Sequence, residues 1–267
     1  MTSLCRRYAV TPAGFYAWRR RPVSAHAEQD RTLSATIVQL FHRHRGYYGS
    51  PRIQRLLASA GWRVSRRRVA RLMREAGLRA KAVRGYRAKA TIHRRYARYP
   101  NRLWATSVTG VNQVWVGDIT YLRVGNRWRY LAVVMDQYSR RVLAWTLTRR
   151  RTAAVTCAVL SAAARRRPAR GVIFHSDRGS EYMGAPFGAR VTRLGLLQSA
   201  SARGPGDNAH MESFFHSLKA ELTRGVVFPT DDALRTAVRR YLRYYNTSRL
   251  HSSLNYLSPL AFERRVA

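Results

Sequence analysis

The sequence predicts an α/β domain with a mixed sheet, preceded by a strongly basic helical region. Three β-branched and aromatic runs follow one another between residues 113 and 147, and helical and strand patterns then alternate. Before residue 80, apolar residues recur at helical spacing instead. A chain of 267 residues has room for one or two domains. We therefore divide it into a helical region 1–80, a basic linker 81–110 and a second domain 111–267.

The net charge of the chain indicates which kind of molecule it binds. Fifty lysines and arginines against 13 acidic residues give a net charge of +37, which favours a polyanion, and double-stranded DNA is the leading candidate. An anionic membrane surface is the alternative. The two cysteines, Cys5 and Cys157, exclude a disulfide framework and a cysteine-rich zinc module. No apolar run approaches the ~20 residues of a membrane span, and the first residues lack a signal peptide's apolar core. The sequence thus predicts a soluble, cytoplasmic protein.

Three helices are predicted within residues 1–80. Apolar residues at helical spacing between 33 and 41 indicate the first helix. Ser50, followed by Pro51, is interpreted as the N-cap of the second helix. Ser65 is the predicted N-cap of the third helix, and Gly77 lies where that helix should end. Together the second and third helices have the pattern of a helix-turn-helix.

The third helix turns an arginine-covered face outwards. Its candidate DNA contacts are Arg66, Arg67, Arg68, Arg71 and Arg74. An amphipathic helical hairpin with an ordinary solvated face is the alternative interpretation. DNA binding is favoured because this face is almost wholly cationic. The basic linker lacks apolar periodicity and could follow phosphates.

The second domain begins with strands and continues with alternating helices and strands. The predicted strands are 113–124, 128–136, 141–147, 171–174 and 196–199, and the predicted helices are 152–166, 186–194 and 208–222. Three consecutive strands followed by this alternation predict a mixed sheet with flanking helices.

Three carboxylates of this domain are candidates for a metal site. Asp118 lies inside an apolar strand, where a lone charge is costly to bury. Asp177 follows the end of another strand. Glu212 shares a helical face with Asn208 and with Lys219, one of only three lysines in the chain. An all-oxygen site suits Mg²⁺ or Mn²⁺, which could support phosphoryl displacement. Separate structural roles remain the alternative for each acid, but their order and spacing favour the metal site.

Several segments together resemble the catalytic transposases of bacterial insertion sequences, the second-reading-frame products with a retroviral-integrase-like DDE core. These segments are 113–121, 175–182, 207–215, 218–221 and 244–259, with 49–53 and 68–73 in the helical region. The resemblance implies a ribonuclease-H-like mixed five-stranded sheet. It also implies that Asp118, Asp177 and Glu212 form the catalytic, Mg²⁺- or Mn²⁺-binding triad and that Lys219 contacts the transposon end. Residues expected to support the triad are Asn208, His175 and Arg178.

The resemblance further implies DNA strand cleavage, followed by strand transfer through attack of a 3′-hydroxyl on a phosphodiester. The implied partners are transposon ends, target DNA, further copies of the same chain and the product of an upstream reading frame, at the bacterial nucleoid. A non-catalytic DNA-binding protein, such as a repressor or a decayed transposase, is the alternative, and a nuclease without strand transfer is a third possibility. Arg249 and His251 stand in the wrong order relative to Tyr256 for a tyrosine recombinase. The aromatic residues Trp115 and Tyr121 are interpreted as core residues.

Overall fold

The chain divides into two units, Met1–Lys81 and Ala82–Ala267. The structure, a computed structural model, describes residues 2–20, 22, 24–81, 99–201 and 208–266. Within these ranges, no helix is both long enough and apolar enough to span a bilayer. Residues 82–98, which form most of the predicted linker, lie outside the described residues.

The N-terminal unit is entirely helical in its described residues. Its helices are α1 (Thr2–Arg7), α2 (Pro12–Arg20), α3 (Ala25–Arg43), α4 (Ser50–Ser59) and α5 (Arg66–Glu75). The last three are the predicted helices, whereas α1 and α2 were not predicted. Helices α3, α4 and α5 contact one another through fully buried side chains, among them Ile37, Leu57 and Val69. This packing gives the unit its core.

The helix ends agree with the sequence prediction at α5 and differ at α4. The Ser65 hydroxyl accepts a hydrogen bond from the Arg68 amide at 3.2 Å, and Gly77 has a φ of +67° just beyond the helix. Ser50, however, is the first helical residue of α4 and not its N-cap. Gly49 takes the N-cap position instead, because its carbonyl accepts hydrogen bonds from the first amides of the helix. Glycine has no side chain with which to cap them.

The second unit is a five-stranded sheet with helices around it. Its strands are β1 (Val114–Val124), β2 (Arg127–Asp136), β3 (Val142–Thr148), β4 (Ile173–Ser176) and β5 (Leu197–Ala200). Its helices are α6 (Ala153–Ala164), α7 (Ser180–Met183), α8 (Ala185–Arg193), α9 (Ala209–Leu218), α10 (Asp231–Thr247) and α11 (Pro259–Val266). The strand order is β3-β2-β1-β4-β5, with antiparallel pairing from β1 to β3 and parallel pairing from β1 through β4 to β5. The predicted mixed five-stranded sheet is confirmed.

The main core of this unit lies where α6 and α8 pack on the sheet. Trp115 of β1 and Phe174 of β4 meet Leu160 and Phe187 there, and all four are nearly inaccessible. Trp115 is therefore a core residue, as predicted. The same prediction is wrong for Tyr121, whose side chain is 54% exposed.

Two segments differ from the predicted element boundaries. A 3-10 turn, Arg102–Ala105, belongs to the second unit and not to a free linker, because the Arg102 amide donates to the Ser199 hydroxyl at 3.0 Å beside β5. The predicted helix 208–222 is also not continuous. Its α-helical part ends with α9 at Leu218, and a π-helical turn, Lys219–Thr223, follows.

Helix α11 is fastened to the sheet through one carboxylate. Glu263 accepts a hydrogen bond from the Ser139 hydroxyl at 2.7 Å, in the turn between β2 and β3. Arg141 and Arg167 each place a guanidinium nitrogen 2.5 Å from the same carboxylate. The contact from Ser139 to Glu263 spans 124 positions of the chain, so α11 closes the fold of this unit.

Candidate active site

The strand register brings the first two acids of the predicted triad side by side. Strands β1 and β4 run parallel, and Gly117 lies opposite Ser176. The next residues are Asp118, which lies inside β1, and Asp177, which follows the end of β4, so they lie side by side at the same level of the sheet. Asp177 is exposed, and one oxygen of its carboxylate accepts a hydrogen bond from the Gly179 amide at 3.0 Å. Asp118 is partly buried.

The electrostatics of Asp118 link it to three other carboxylates. Burial raises the pKa of Asp118 to about 8, and the charge of Asp177 is the next cause. The charges of Glu181 and Glu212 raise it further, while a hydrogen bond from the Ile119 amide, at 2.6 Å, opposes the shift. The charges of both other predicted triad members thus act on Asp118. We call Asp118 and the three carboxylates whose charges act on it, Asp177, Glu181 and Glu212, the acid cluster.

The third predicted acid, Glu212, lies in the first turn of α9 and is partly buried. Burial raises its pKa, and His216 lowers it. The start of α9 is tied to the sheet by Asn208, whose side-chain amide donates to the Gly117 carbonyl at 3.3 Å. This bond fastens the helix directly before Asp118. The other end of the amide, Asn208 Oδ1, is buried and accepts no hydrogen bond from any described residue.

Glu181 is a fourth acid of the cluster that the sequence analysis did not assign to the site. It lies at the start of α7, is 5% exposed, and has a carboxylate oxygen 3.3 Å from Nε of Arg151. The sequence feature that could have identified Glu181 was its position, since it is one of only 13 acidic residues and follows Asp177 by four positions.

His175 and Arg178 connect the ends of strands β4 and β5 next to these acids. The buried His175 ring hydrogen-bonds through Nδ1 with the Ser199 hydroxyl at 2.9 Å and through Nε2 with the Ser201 hydroxyl at 3.4 Å. The Arg178 guanidinium donates to the Ser201 carbonyl. Both residues thereby join the end of β4 to the end of β5, which suits the supporting role expected of them.

Lys219 lies against an aromatic ring, and the charge of one acid of the cluster acts on it. Its ammonium nitrogen is 4.4 Å from the centre of the Tyr121 ring. Burial lowers the pKa of Lys219, and the charge of Asp118 opposes that shift. The side chain is therefore not a freely solvated surface lysine, and the charge of Asp118 acts on it.

A buried ion pair holds the π-helical turn that begins at Lys219. Glu221 in this turn accepts hydrogen bonds from Nε and Nη2 of Arg249 at 2.9 and 2.6 Å, and another from the Tyr241 hydroxyl at 3.0 Å. Glu221 and Arg249 are 2% and 3% exposed. Burial lowers the pKa of Arg249, but the hydrogen bond and charge of Glu221 outweigh burial and raise it. The sequence analysis assigned no role to this pair.

The donor set fits a hard divalent cation in its chemistry. No group of three or more acidic, histidine or cysteine side chains in the described ranges already stands close enough to enclose a metal ion. All candidate donors are nevertheless oxygens. The pKa of Asp118 is raised first by burial and then by the charge of Asp177, and a bound cation would offset both effects. The buried Asn208 Oδ1 adds an acceptor without a donor partner among the described residues. These properties suit Mg²⁺ or Mn²⁺.

The predicted arginine face of α5 is only partly free. Arg66, Arg67 and Arg74 are exposed, as predicted. Arg68 and Arg71 instead bind Asp30 of α3, at 2.7 and 2.6 Å. Both guanidinium groups are therefore paired with the only aspartate of this unit, although the Arg71 side chain keeps 42% of its surface exposed. Contact of all five arginines with DNA stays a prediction.

Comparison with known protein families finds three matches along the chain. The integrase core domain matches residues 108–205, and a second family of the same description matches residues 212–266. The HTH-like domain matches residues 28–86.

Two curated relatives align over nearly the whole chain. The transposase InsF for insertion sequence IS3A of Escherichia coli (strain K12) is 38% identical over 98% of this chain and 93% of its own length. An insertion element IS600 protein of Shigella sonnei, described as an uncharacterized 31 kDa protein, is 36% identical over 98% of both chains.

Solved structures resemble part of the chain. The HTLV-2 integrase catalytic core domain in complex with magnesium has a TM-score of 0.42 at 18% identity, covering 57% of this chain and 97% of its own. The simian T-cell lymphotropic virus intasome in complex with the PP2A regulatory subunit B56 gamma has a TM-score of 0.44 at 22% identity, with coverages of 57% and 55%.

Proposed function

The chain belongs to the transposase family of insertion sequence IS3, and on that premise we propose that it cuts DNA and joins the cut strand to a target. The observation that carries this proposal is the acid cluster, in which the charges of Asp177, Glu181 and Glu212 act on Asp118. A protein that only binds DNA gains nothing from acids that repel one another and also repel the polyanion. The cluster therefore favours catalysis over a repressor function.

Asp118, Asp177 and Glu212 would hold the divalent cation in this proposal. When bound, Mg²⁺ or Mn²⁺ would activate an attacking hydroxyl and stabilise the leaving oxygen of a phosphodiester. Asn208 positions Glu212 by fastening α9 to β1. Lys219 would bind a phosphate of the transposon end, since the charge of Asp118 acts on its ammonium. His175 and Arg178 keep the strand ends in register.

The N-terminal unit would bind double-stranded DNA through its helix-turn-helix, with Arg66, Arg67 and Arg74 contacting phosphates or bases. Arg68 and Arg71 would act indirectly, by holding α5 against α3. Action as a homo-oligomer, cooperation with an upstream reading-frame product and location at the nucleoid rest on the family resemblance alone.

The test is the charge-removing variants Asp118→Asn, Asp177→Asn and Glu212→Gln. Each should abolish cleavage and strand transfer of a transposon-end duplex, while affinity for the same duplex stays nearly unchanged. Asp232→Asn is the matched control, because Asp232 is an exposed aspartate at the start of α10. Wild-type strand transfer by any of the three variants would remove that residue from the proposed triad.

A second readout does not depend on activity. The folded-state pKa of Asp118 lies above its unfolded value, so its contribution to the free energy of unfolding falls as the pH rises towards 8. Asp118→Asn should therefore raise the melting temperature of the metal-free protein at neutral pH. Added Mg²⁺ should raise the melting temperature of the wild type and leave that of the variant unchanged. Equal Mg²⁺ responses would exclude Asp118 as a ligand.

A further inference from the structure

Two large aromatic side chains lie exposed together on the β1–β2 hairpin, next to the candidate active site. Tyr121 is 54% exposed and Trp128 is 50% exposed. Their ring centres are 5.1 Å apart, with the rings nearly perpendicular at 86°. Tyr121 follows Asp118 by three positions in the same strand, so the two side chains leave opposite faces of β1. The aromatic pair borders the candidate site through Lys219, whose ammonium lies against the Tyr121 ring.

The fold does not require aromatic residues at these positions. In the outer half of β1 the side chains alternate, with Thr120, Leu122 and Val124 buried while Tyr121 and Arg123 are exposed. Strand β4 pairs with β1 only over residues 114–117, so β1 beyond Asp118 has no neighbouring strand on the β4 side. Single exposed apolar residues are common on proteins, but two in contact at the end of a catalytic strand form a patch.

Cations border both rings. The Lys219 ammonium lies 4.4 Å from the Tyr121 ring centre, and the Arg123 guanidinium lies 5.8 Å from the Trp128 ring centre. Arg123 is also the direct cross-strand partner of Trp128. A surface on which aromatic rings alternate with cations suits single nucleic acid strands, because the bases stack on the rings and the cations contact the phosphates.

We propose that Tyr121 and Trp128 form a stacking platform for unpaired bases of the DNA strand whose phosphate reaches Asp118 and Lys219. The occupant is a single-stranded or frayed end, because a closed duplex offers base edges in its grooves while its base faces stay stacked. Stacking is tolerant of sequence, so the platform would hold any base. This inference rests on the proposed function and adds a binding site for the strand beside the reacting phosphate.

The test compares two DNA probes without divalent metal and at fixed salt. One is a blunt duplex, and the other is the same duplex with a short single-stranded thymidine overhang. The wild type should bind the overhang probe more tightly. Tyr121→Ala and Trp128→Ala should each lose about fivefold to a hundredfold of affinity for the overhang probe, with blunt-duplex affinity unchanged. Tyr121→Phe and Trp128→Phe keep a ring and should retain most of the preference.

Trp104→Ala is the matched control, because Trp104 is another tryptophan of the second unit and is 62% exposed. It should leave the overhang preference intact. As a direct readout, 5-iodouracil in the overhang should photo-crosslink to the peptide that contains Tyr121 or Trp128. Melting temperatures of all variants should match the wild type, because the substituted side chains are exposed.

Two results would overturn the platform. One is equal wild-type affinity for the overhang and blunt probes, and the other is crosslinking only to peptides without Tyr121 and Trp128. Neither result depends on catalysis. An active transposase without overhang preference would therefore refute the platform alone, whereas an inactive protein that keeps the preference and the crosslink would refute the proposed function alone.

Discussion

Gly117 is required by packing, not by backbone conformation. A Cβ atom built at this position would lie 2.3 Å from Cζ of Phe174. The Phe174 ring is 1% exposed and lies against Tyr182 and Phe187, with ring centres 6.0 and 5.4 Å away. The ring has no free space to move into. Glycine therefore allows β4 to pack closely against β1 directly before Asp118.

Gly117→Ala should lower the free energy of unfolding by about 1–3 kcal/mol, because a methyl group overpacks this core. Chemical denaturation of the purified protein measures the loss. The double variant Gly117→Ala with Phe174→Leu should lose less than the sum of its single variants, since the shorter side chain makes room for the methyl. Strictly additive losses would mean that Phe174 is not the obstacle.

At the residue level, the acids of the candidate site were easier to identify from the sequence than the residues around them. Asp118, Asp177 and Glu212 were identifiable because acids are scarce in this chain. Asp118 also lies inside an apolar strand, Asp177 follows a strand, and Glu212 shares a helical face with Asn208 and Lys219. Glu181 and Arg151 come together only through the folding of α7 against its neighbours, which leaves no local pattern. Tyr121 was predicted to be buried because alternation does not reveal that β4 ends short of it.

At the level of elements, the strands were more predictable than the helix that carries Glu212 and Lys219. Strand boundaries follow side-chain alternation and turn residues, and all five strands were found within a few positions. The π-helical turn depends on a partner far along the chain, since Glu221 is buried against Arg249. Helical periodicity alone therefore predicted one continuous helix. The unpredicted α1 and α2 lie before the apolar stripe of α3.

Glu221→Gln should lower the free energy of unfolding by about 3–5 kcal/mol, because it leaves the buried Arg249 without its counter-charge. Thermal or chemical unfolding provides the measurement. The matched control is Glu75→Gln, whose carboxylate pairs with Arg71 in an exposed pair and should cost at most about 1 kcal/mol.

Replacing both partners, as Glu221→Gln with Arg249→Met, should recover much of the loss, because no unpaired charge then remains buried. A single variant as stable as the wild type would show that water reaches this pair and that it does not hold the turn.

At the level of the whole molecule, charge governs binding. With a net charge of +37, affinity for duplex DNA should fall steeply with salt. If about 6–10 phosphates are neutralised, the loss between about 50 and 200 mM salt should be roughly 10³–10⁵. Replacing Arg66, Arg67 and Arg74 by alanine should reduce the slope of log affinity against log salt by about one for each phosphate that is no longer neutralised. Fluorescence anisotropy over a salt series gives both quantities.

Arg68→Ala is the informative comparison, because this side chain is bound to Asp30. It should lower the stability of the N-terminal unit and change the salt slope less than Arg66→Ala does. A salt slope that falls by a full unit in Arg68→Ala, at unchanged stability, would mean that the arginine leaves Asp30 to bind DNA.

The hydrogen bond between Ser139 and Glu263 also fixes the order in which the two units can finish folding while the chain is being synthesised. The N-terminal unit has its own core within residue 81, so it can fold as soon as it leaves the ribosome. The sheet cannot gain its last contact until residue 263 has been added. At about 5–20 residues per second, that interval lasts roughly 10–40 s. During translation, a folded N-terminal unit therefore precedes a finished second unit by many seconds.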